Sequence, residues 1–186
     1  MRQVIVWIFV IIISSSLIGC RYSSDIGTSE KVDLYNREGD RVGTAKLTEE
    51  SDGVKVKLDV KGLKPGFHGV HIHENGLCEP PNFESAGNHL NPDKKKHGLL
   101  HPKGHHLGDL PNIEADDEGE VKEELKIKDA TFKAGKNSLR SRDGSAIIIT
   151  SKRDDGMTQI SGDSGERIIC GVIEKPVHEK TMDEEK

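Results

Sequence analysis

The chain has 186 residues and a formal net charge of −5, with 32% charged and only 4% aromatic residues. Setting aside residues 1–20, which carry a targeting pattern, leaves 166 residues, enough for one domain with a substantial core and too few for two of ordinary size. That remainder holds 26 Lys plus Arg against 32 Asp plus Glu and no basic stripe, which argues against nucleic acid as a partner.

The first residues, MRQVIVWIFVIIISSSLIGC, place one charge at Arg2 before an apolar run over 4–13, then small residues and Leu17-Ile18-Gly19-Cys20. The run is shorter than the roughly 20 residues that span a bilayer, so the pattern predicts a signal peptide over 1–19. Its ending resembles the lipobox of bacterial lipoproteins. That resemblance implies cleavage before Cys20 and a diacylglyceryl group on its sulfur, hence an exported protein anchored by lipid on the outer face of a bacterial cell membrane. Residues 20–30 then form the lipidated N-terminus and a polar tether, 31–173 the folded domain, and 174–186 a charged tail.

Strands are predicted in chain order at 31–35, 41–47 and 54–60. The last, VKVKLDV, alternates Val54, Val56, Leu58 and Val60 with charges, the period of a half-buried strand. Turn residues at Glu38-Gly39-Asp40 and Ser51-Asp52-Gly53 predict antiparallel hairpins between them. Further strands are expected at 70–74, 120–127, 146–150 and 167–173, with no convincing amphipathic helix. Many short strands with turns between them predict an all-β sandwich or barrel. Two segments break the rhythm, 75–117 and 151–166, and loops of that length in a small domain are usually functional.

Three cysteines are present, Cys20, Cys78 and Cys170. Lipidation of the first leaves a pair in an oxidising compartment, where a disulfide is the natural expectation.

Eight of the nine histidines lie between His68 and His106. His71 and His73, in GVHIHENG, stand two apart in a predicted strand, so both imidazoles leave one face and can grip one ion. His89, His97, His106 and Asp109 follow in SAGNHLNPDKKKHGLLHPKGHHLGDLPN. Three imidazoles and a carboxylate match the closed tetrahedral shell that zinc accepts, and an ion is an economical source of order for a loop too polar to pack. Spacing alone leaves a surface histidine cluster without a fixed ion as the alternative.

Taken together, HGVHIHE, SAGNHLNP, HHLGDLPN and GDSGERIICGVI resemble, in order and spacing, the copper/zinc superoxide dismutases of the bacterial exported type. The resemblance covers about 32–173. It implies an eight-stranded Greek-key β-barrel with a metal loop and an electrostatic loop, a Cys78–Cys170 disulfide, and superoxide as a substrate converted to O₂ and H₂O₂. It also implies one copper and one zinc per subunit, in a monomer or homodimer. Matched residue by residue, it implies copper ligands at His71 and His73 and a bridging ligand at His89. His97, His106 and Asp109 match the remaining zinc ligands, His106 being preferred to His105 by its offset from Asp109. Arg167 matches the arginine that draws superoxide in, and Asp154 the aspartate that joins a ligand histidine on each metal. His68 matches a structural histidine, while His101 and His105 are expected to be spare.

One position departs. The strand at 146–150 ends in Thr150 where the family has its fourth copper ligand, and the offsets to Asp154 and Arg167 agree that this is a replacement. A threonine hydroxyl is a hard, weak ligand poorly suited to reduced copper. Two expectations follow. One is a surface superoxide dismutase of weakened activity, and the other a non-enzymatic, zinc-stabilised metal-binding lipoprotein on the same barrel.

Overall fold

The alternation of VKVKLDV is realised in the computed structural model, which describes residues 28–175 apart from residue 142. Val54, Val56, Leu58 and Val60 are fully buried, and they lie in the strand Gly53–Val60. The apolar run 4–13, Cys20, residues 21–27 of the tether and the tail beyond residue 175 lie outside the described residues.

Nine strands follow one another: β1 Ser29–Asn36, β2 Arg41–Glu50, β3 Gly53–Val60, β4 Gly66–His68, β5 Val70–His73, β6 Ile113–Ala115, β7 Val121–Lys128, β8 Ser145–Thr150 and β9 Arg167–Ile173. Seven form an antiparallel sheet in the order β5-β8-β9-β1-β2-β3-β7, and β4 pairs with β6. The sheet's two edges meet through this pair. Gly69 alone separates β5 from β4, and β6 turns into β7 through the Asp116 N–H to Glu120 carbonyl bond of 3.1 Å. Counting β4 and β5 as one strand bent at Gly69 gives the eight-stranded Greek-key barrel expected.

The strands at 31–35, 41–47, 54–60, 70–74, 120–127, 146–150 and 167–173 are all present, with ends displaced by no more than a few residues. β1 begins at Ser29, inside the stretch assigned to the tether, because Glu30 is held by Arg140 at 2.6 Å. Gly66–His68 and Ile113–Ala115 were not anticipated. Each has three residues, too few for a visible period. The only helix among the described residues is a 3₁₀ turn at Glu84–Ala86.

The barrel interior is filled from the inward faces, among them Leu34, Leu47, Leu58, Ile127, Ile147 and Ile149. β8 is buried on both sides. Its other face, Ala146 and Ile148, packs with Phe83, Ala86 and Cys170 under the start of the first long loop. Cys78 and Cys170 are joined by a disulfide there, with Cα atoms 5.8 Å apart. The bridge closes 92 residues and ties that loop to β9. Replacing both cysteines with serine is expected to lower the unfolding free energy by about 2–4 kcal/mol, less than the full chain-entropy value. Chemical denaturation checks this, and an unchanged midpoint would mean that the packing of Phe83 on Ile148 suffices alone.

Candidate metal centre

β5 is a sheet edge, and its free backbone groups template the loop that carries the other candidate ligating side chains. Ile72 N donates to Gly108 O at 2.8 Å, and Leu90 N to Ile72 O at 2.8 Å. These contacts set His73 opposite His89 and His71 opposite Asp109. Gly108 is required for the approach, since a Cβ there would fall 2.2 Å from Ile72 O. Residues 16 to 38 apart in sequence thus meet without a helix to space them.

The first group is His89, His97, His106 and Asp109, all buried. The Nδ1 atoms of the three histidines lie 2.8, 3.1 and 3.2 Å from one atom, Asp109 Oδ1. His106 Nδ1 is 3.4 Å from His89 Nδ1. A tetrahedron of donors about 2.0–2.1 Å from zinc has edges of about 3.3 Å. The spacing fits an ion of that size. The second carboxylate oxygen, Oδ2, accepts from Gly98 N and His106 N, both at 2.9 Å, which fixes the group's orientation.

The second group is His71, His73 and His89. His73 Nδ1 donates to Gly87 O at 2.9 Å, so its Nε2 remains for an ion. His89 has Nδ1 on the Asp109 side, leaving Nε2 for the same ion and making the ring a bridge between the groups. His71 Nε2 donates to Asp154 Oδ2 at 2.6 Å. Its Nδ1 is the one buried side-chain polar atom among the described residues without any hydrogen-bond partner. An orphaned nitrogen of this kind costs about 1–3 kcal/mol, and an ion would remove that cost.

Thr150 closes the other side. Its N–H donates to Gly69 O at 3.0 Å and its carbonyl accepts from His68 Nδ1 at 2.7 Å, so the strand end is anchored at both groups. Its hydroxyl lies 3.3 Å from Gly69 O and 3.2 Å from Lys152 O, directed at backbone acceptors. Gly69 lets Thr150 come beside His71: a Cβ on it would fall 2.6 Å from Thr150 Oγ1 and 3.2 Å from His71 Cε1. Thr150 lines a cavity of about 480 Å³ together with His73, His89, Ser164, Ile160 and Arg167.

Asp154 spans the two groups, with Oδ2 2.6 Å from His71 Nε2 and 3.1 Å from His97 Nε2. Arg167, half-buried at the start of β9, donates to Phe83 O and Gly87 O, each at 2.8 Å. It forms no ion pair among the described residues and lines the cavity, with the charge of Glu84 acting on it from nearby. His68 bonds Lys64 O as well as Thr150 O and stays outside both groups. So do His101 and His105, bonded to Lys103 N and His106 O. The sequence reading missed Asn112 and Gln159. Asn112 pairs both backbone groups of Asp154, at 2.8 and 2.9 Å, and Gln159 pairs both of His97, at 3.0 Å. Amides in polar loops carry no spacing signal that would have found them.

Burial, with the repulsion that a charged His89 would add, holds His73 well below the ordinary imidazole pKa, and burial brings His89 down to about 4 against the pull of Asp109. Both rings are therefore neutral and available as donors at neutral pH. Burial also opposes charge on His97, but the carboxylates of Asp109 and Asp154 outweigh it and raise the pKa to about 9. Those carboxylates are themselves held well below their usual range by the histidines. Zinc held at His97 Nδ1 would have to displace that proton. About one proton per zinc is therefore expected to be released at pH 7–8, falling away above pH 9, with affinity rising about tenfold per pH unit below it. Calorimetry in buffers of different ionisation enthalpy reads this number, and zero release at pH 7 would refute it.

Residues 41–173 match the copper/zinc superoxide dismutase (SODC) family. A superoxide dismutase [Cu-Zn] of Aquifex aeolicus is 46% identical over 84% of this chain and 92% of its own. A superoxide dismutase-like protein of Bacillus subtilis is 44% identical over 76% of this chain and 74% of its own. Among solved structures, a double mutant of a SOD-like protein from Bacillus subtilis superimposes with a TM-score of 0.74 at 45% identity, covering 76% of this chain and 95% of that one. The Cu/Zn superoxide dismutase of Brucella abortus does so with 0.67 at 30% identity, covering 79% and 100%. The chain belongs to the copper/zinc superoxide dismutase family.

Proposed function

We propose that this protein is an exported superoxide dismutase, anchored through lipid on Cys20, whose copper is held by three histidines where the family uses four. Copper and zinc are the cofactors the family implies. His71 Nδ1, His73 Nε2 and His89 Nε2 would hold copper, while the Nδ1 atoms of His89, His97 and His106 with Asp109 would hold zinc. Bound copper supplies the one-electron chemistry that converts superoxide to O₂ and H₂O₂.

The chain's own groups do the rest. The His89–His97–His106–Asp109 shell orders the loop that would otherwise be too polar to pack. Asp154 fixes the ring planes of His71 and His97 together, and the Gly87 carbonyl fixes that of His73. Arg167 presents a permanent cation to a small anion at the cavity wall, and burial between low-dielectric walls strengthens that attraction. The Gly87 carbonyl joins the two functions, since it accepts from both His73 and Arg167.

The unpartnered Nδ1 of His71 carries this reading, because it is buried, belongs to a group with His73 and His89 that could hold one ion, and is satisfied by nothing else. The test is to load the domain with both metals, verify stoichiometry by metal analysis, and measure superoxide consumption. Stoichiometric copper with no activity above that of free copper would sink the enzyme and leave the second reading, a metal-binding lipoprotein without turnover. The chemistry of Thr150 favours that alternative, since a neutral hydroxyl that also donates to backbone carbonyls offers copper no fourth imidazole.

A further inference from the structure

The protein side of the copper site ends at Thr150, but the cavity does not. In the strand at 145–150 the side chain stops at a hydroxyl whose hydrogen-bonding neighbours are the carbonyls of Gly69 and Lys152. Beyond it lies the same cavity of about 480 Å³ that His73, His89 and Arg167 line, with the hydroxyl-bearing Ser161 and Ser164 on the facing loop. Thr150 is 4% exposed, and Ile160, on the cavity wall, is 72% exposed, so the space opens to solvent past the second loop rather than through the barrel.

We propose that this pocket is a binding site for a small exogenous nitrogen donor of the imidazole class, which completes the copper site from the position of Thr150. The inference rests on the reading of His71, His73 and His89 as copper ligands and deepens it. Three histidines leave copper a coordination position short of the family's set, and imidazole is a donor suited to copper in either oxidation state. The Thr150 hydroxyl donates to backbone oxygen and offers a metal only the lone pairs of a hard, neutral and weak donor. A free imidazole is the better donor, and its volume is a small part of the cavity. The wall near Thr150 also offers hydroxyls that can accept from the ring N–H not used on the metal.

The site would therefore take free histidine, or imidazole itself, as a removable ligand. A small anion competes for the Arg167 side of the same cavity, so occupancy by imidazole should also lower the affinity for azide.

The experiment uses zinc-loaded protein with one equivalent of Cu(II), titrated with imidazole and followed by EPR, with copper content measured after desalting. The wild type should show one saturable spectral change with gain of nitrogen hyperfine structure, and copper should remain bound. Thr150→Val keeps the shape and removes the hydroxyl, so it should respond as the wild type does. Thr150→His should lose the response, its own ring filling the position. Copper that stays bound but is indifferent to imidazole overturns the inference and leaves the proposed copper ligands standing. Copper stripped by imidazole also overturns it. A domain that takes up no copper with or without imidazole overturns both. Should Thr150→His fail to fold, a Thr150→Val response that differs from the wild type would show that the hydroxyl, not the space, governs the site, and would overturn the inference.

Discussion

Thr150→His raises superoxide consumption per bound copper by at least about tenfold to a hundredfold, the range that even a residue supporting a metal ligand commands. The backbone at 150 is already anchored. Its N–H is held by Gly69 O and its carbonyl by His68 Nδ1, and neither bond involves the side chain. The new ring replaces a hydroxyl that bonds only to Gly69 O and Lys152 O, and it extends into a cavity already bounded by His73 and His89. Asp154 and Arg167 keep their own contacts to His71, Phe83 and Gly87. The gain should appear in activity per copper and in copper retained after dialysis against a chelator, while zinc content stays constant. A variant that binds copper tightly yet gains no activity would place the limitation elsewhere, with the second loop as the first suspect. Thr150→Val is the control, and it should leave activity near that of the wild type because a threonine hydroxyl is a weak donor for copper.

Much of this was legible in the residues, for reasons specific to each element. VKVKLDV is readable because one face of β3 is buried and the other wet, so the alternation survives in the sequence. β8 is buried on both faces and reads only as an apolar run, which a short doubly buried strand shares with a buried helix segment. Gly66–His68 and Ile113–Ala115 were invisible because a three-residue strand has no period, and what defines them is pairing with each other where the edges of the large sheet meet. The ligand candidates were legible because chemistry restricts them to His and Asp at spacings that a family resemblance supplies. Their supports were not. Asn112 and Gln159 act by pairing backbone groups of Asp154 and His97, which any amide in reach could do. The direction of the Thr150 hydroxyl was equally hidden, because it depends on which carbonyls the bend at Gly69 brings near.

Asp109→Ala is expected to abolish zinc-dependent stabilisation and to weaken the metal-free domain as well. Asp109 Oδ1 is the common neighbour of His89, His97 and His106, and Oδ2 accepts the N–H groups of Gly98 and His106. The residue is 6% exposed, so no water replaces it freely. Removing one partner of a buried charged pair costs about 3–5 kcal/mol, because the His97 imidazolium loses one of its two carboxylates. Zinc in thousandfold excess over its Kd would add about 4 kcal/mol to the wild type, which for a domain of this size is a rise of roughly 10 °C in Tm. The variant should start lower and gain almost nothing when zinc is added. Thermal unfolding with and without zinc reads both effects, and Thr150→Val should retain the full zinc shift. Asp109→Asn separates the two causes, since its amide oxygen can still accept the N–H groups of Gly98 and His106 while the charge that pairs with His97 and with zinc is gone. Near-normal metal-free stability in Asp109→Asn, together with loss of the zinc shift, would assign the loop's order to the ion. Weakness in both variants would assign it to the charge that holds the three histidines together before any ion arrives.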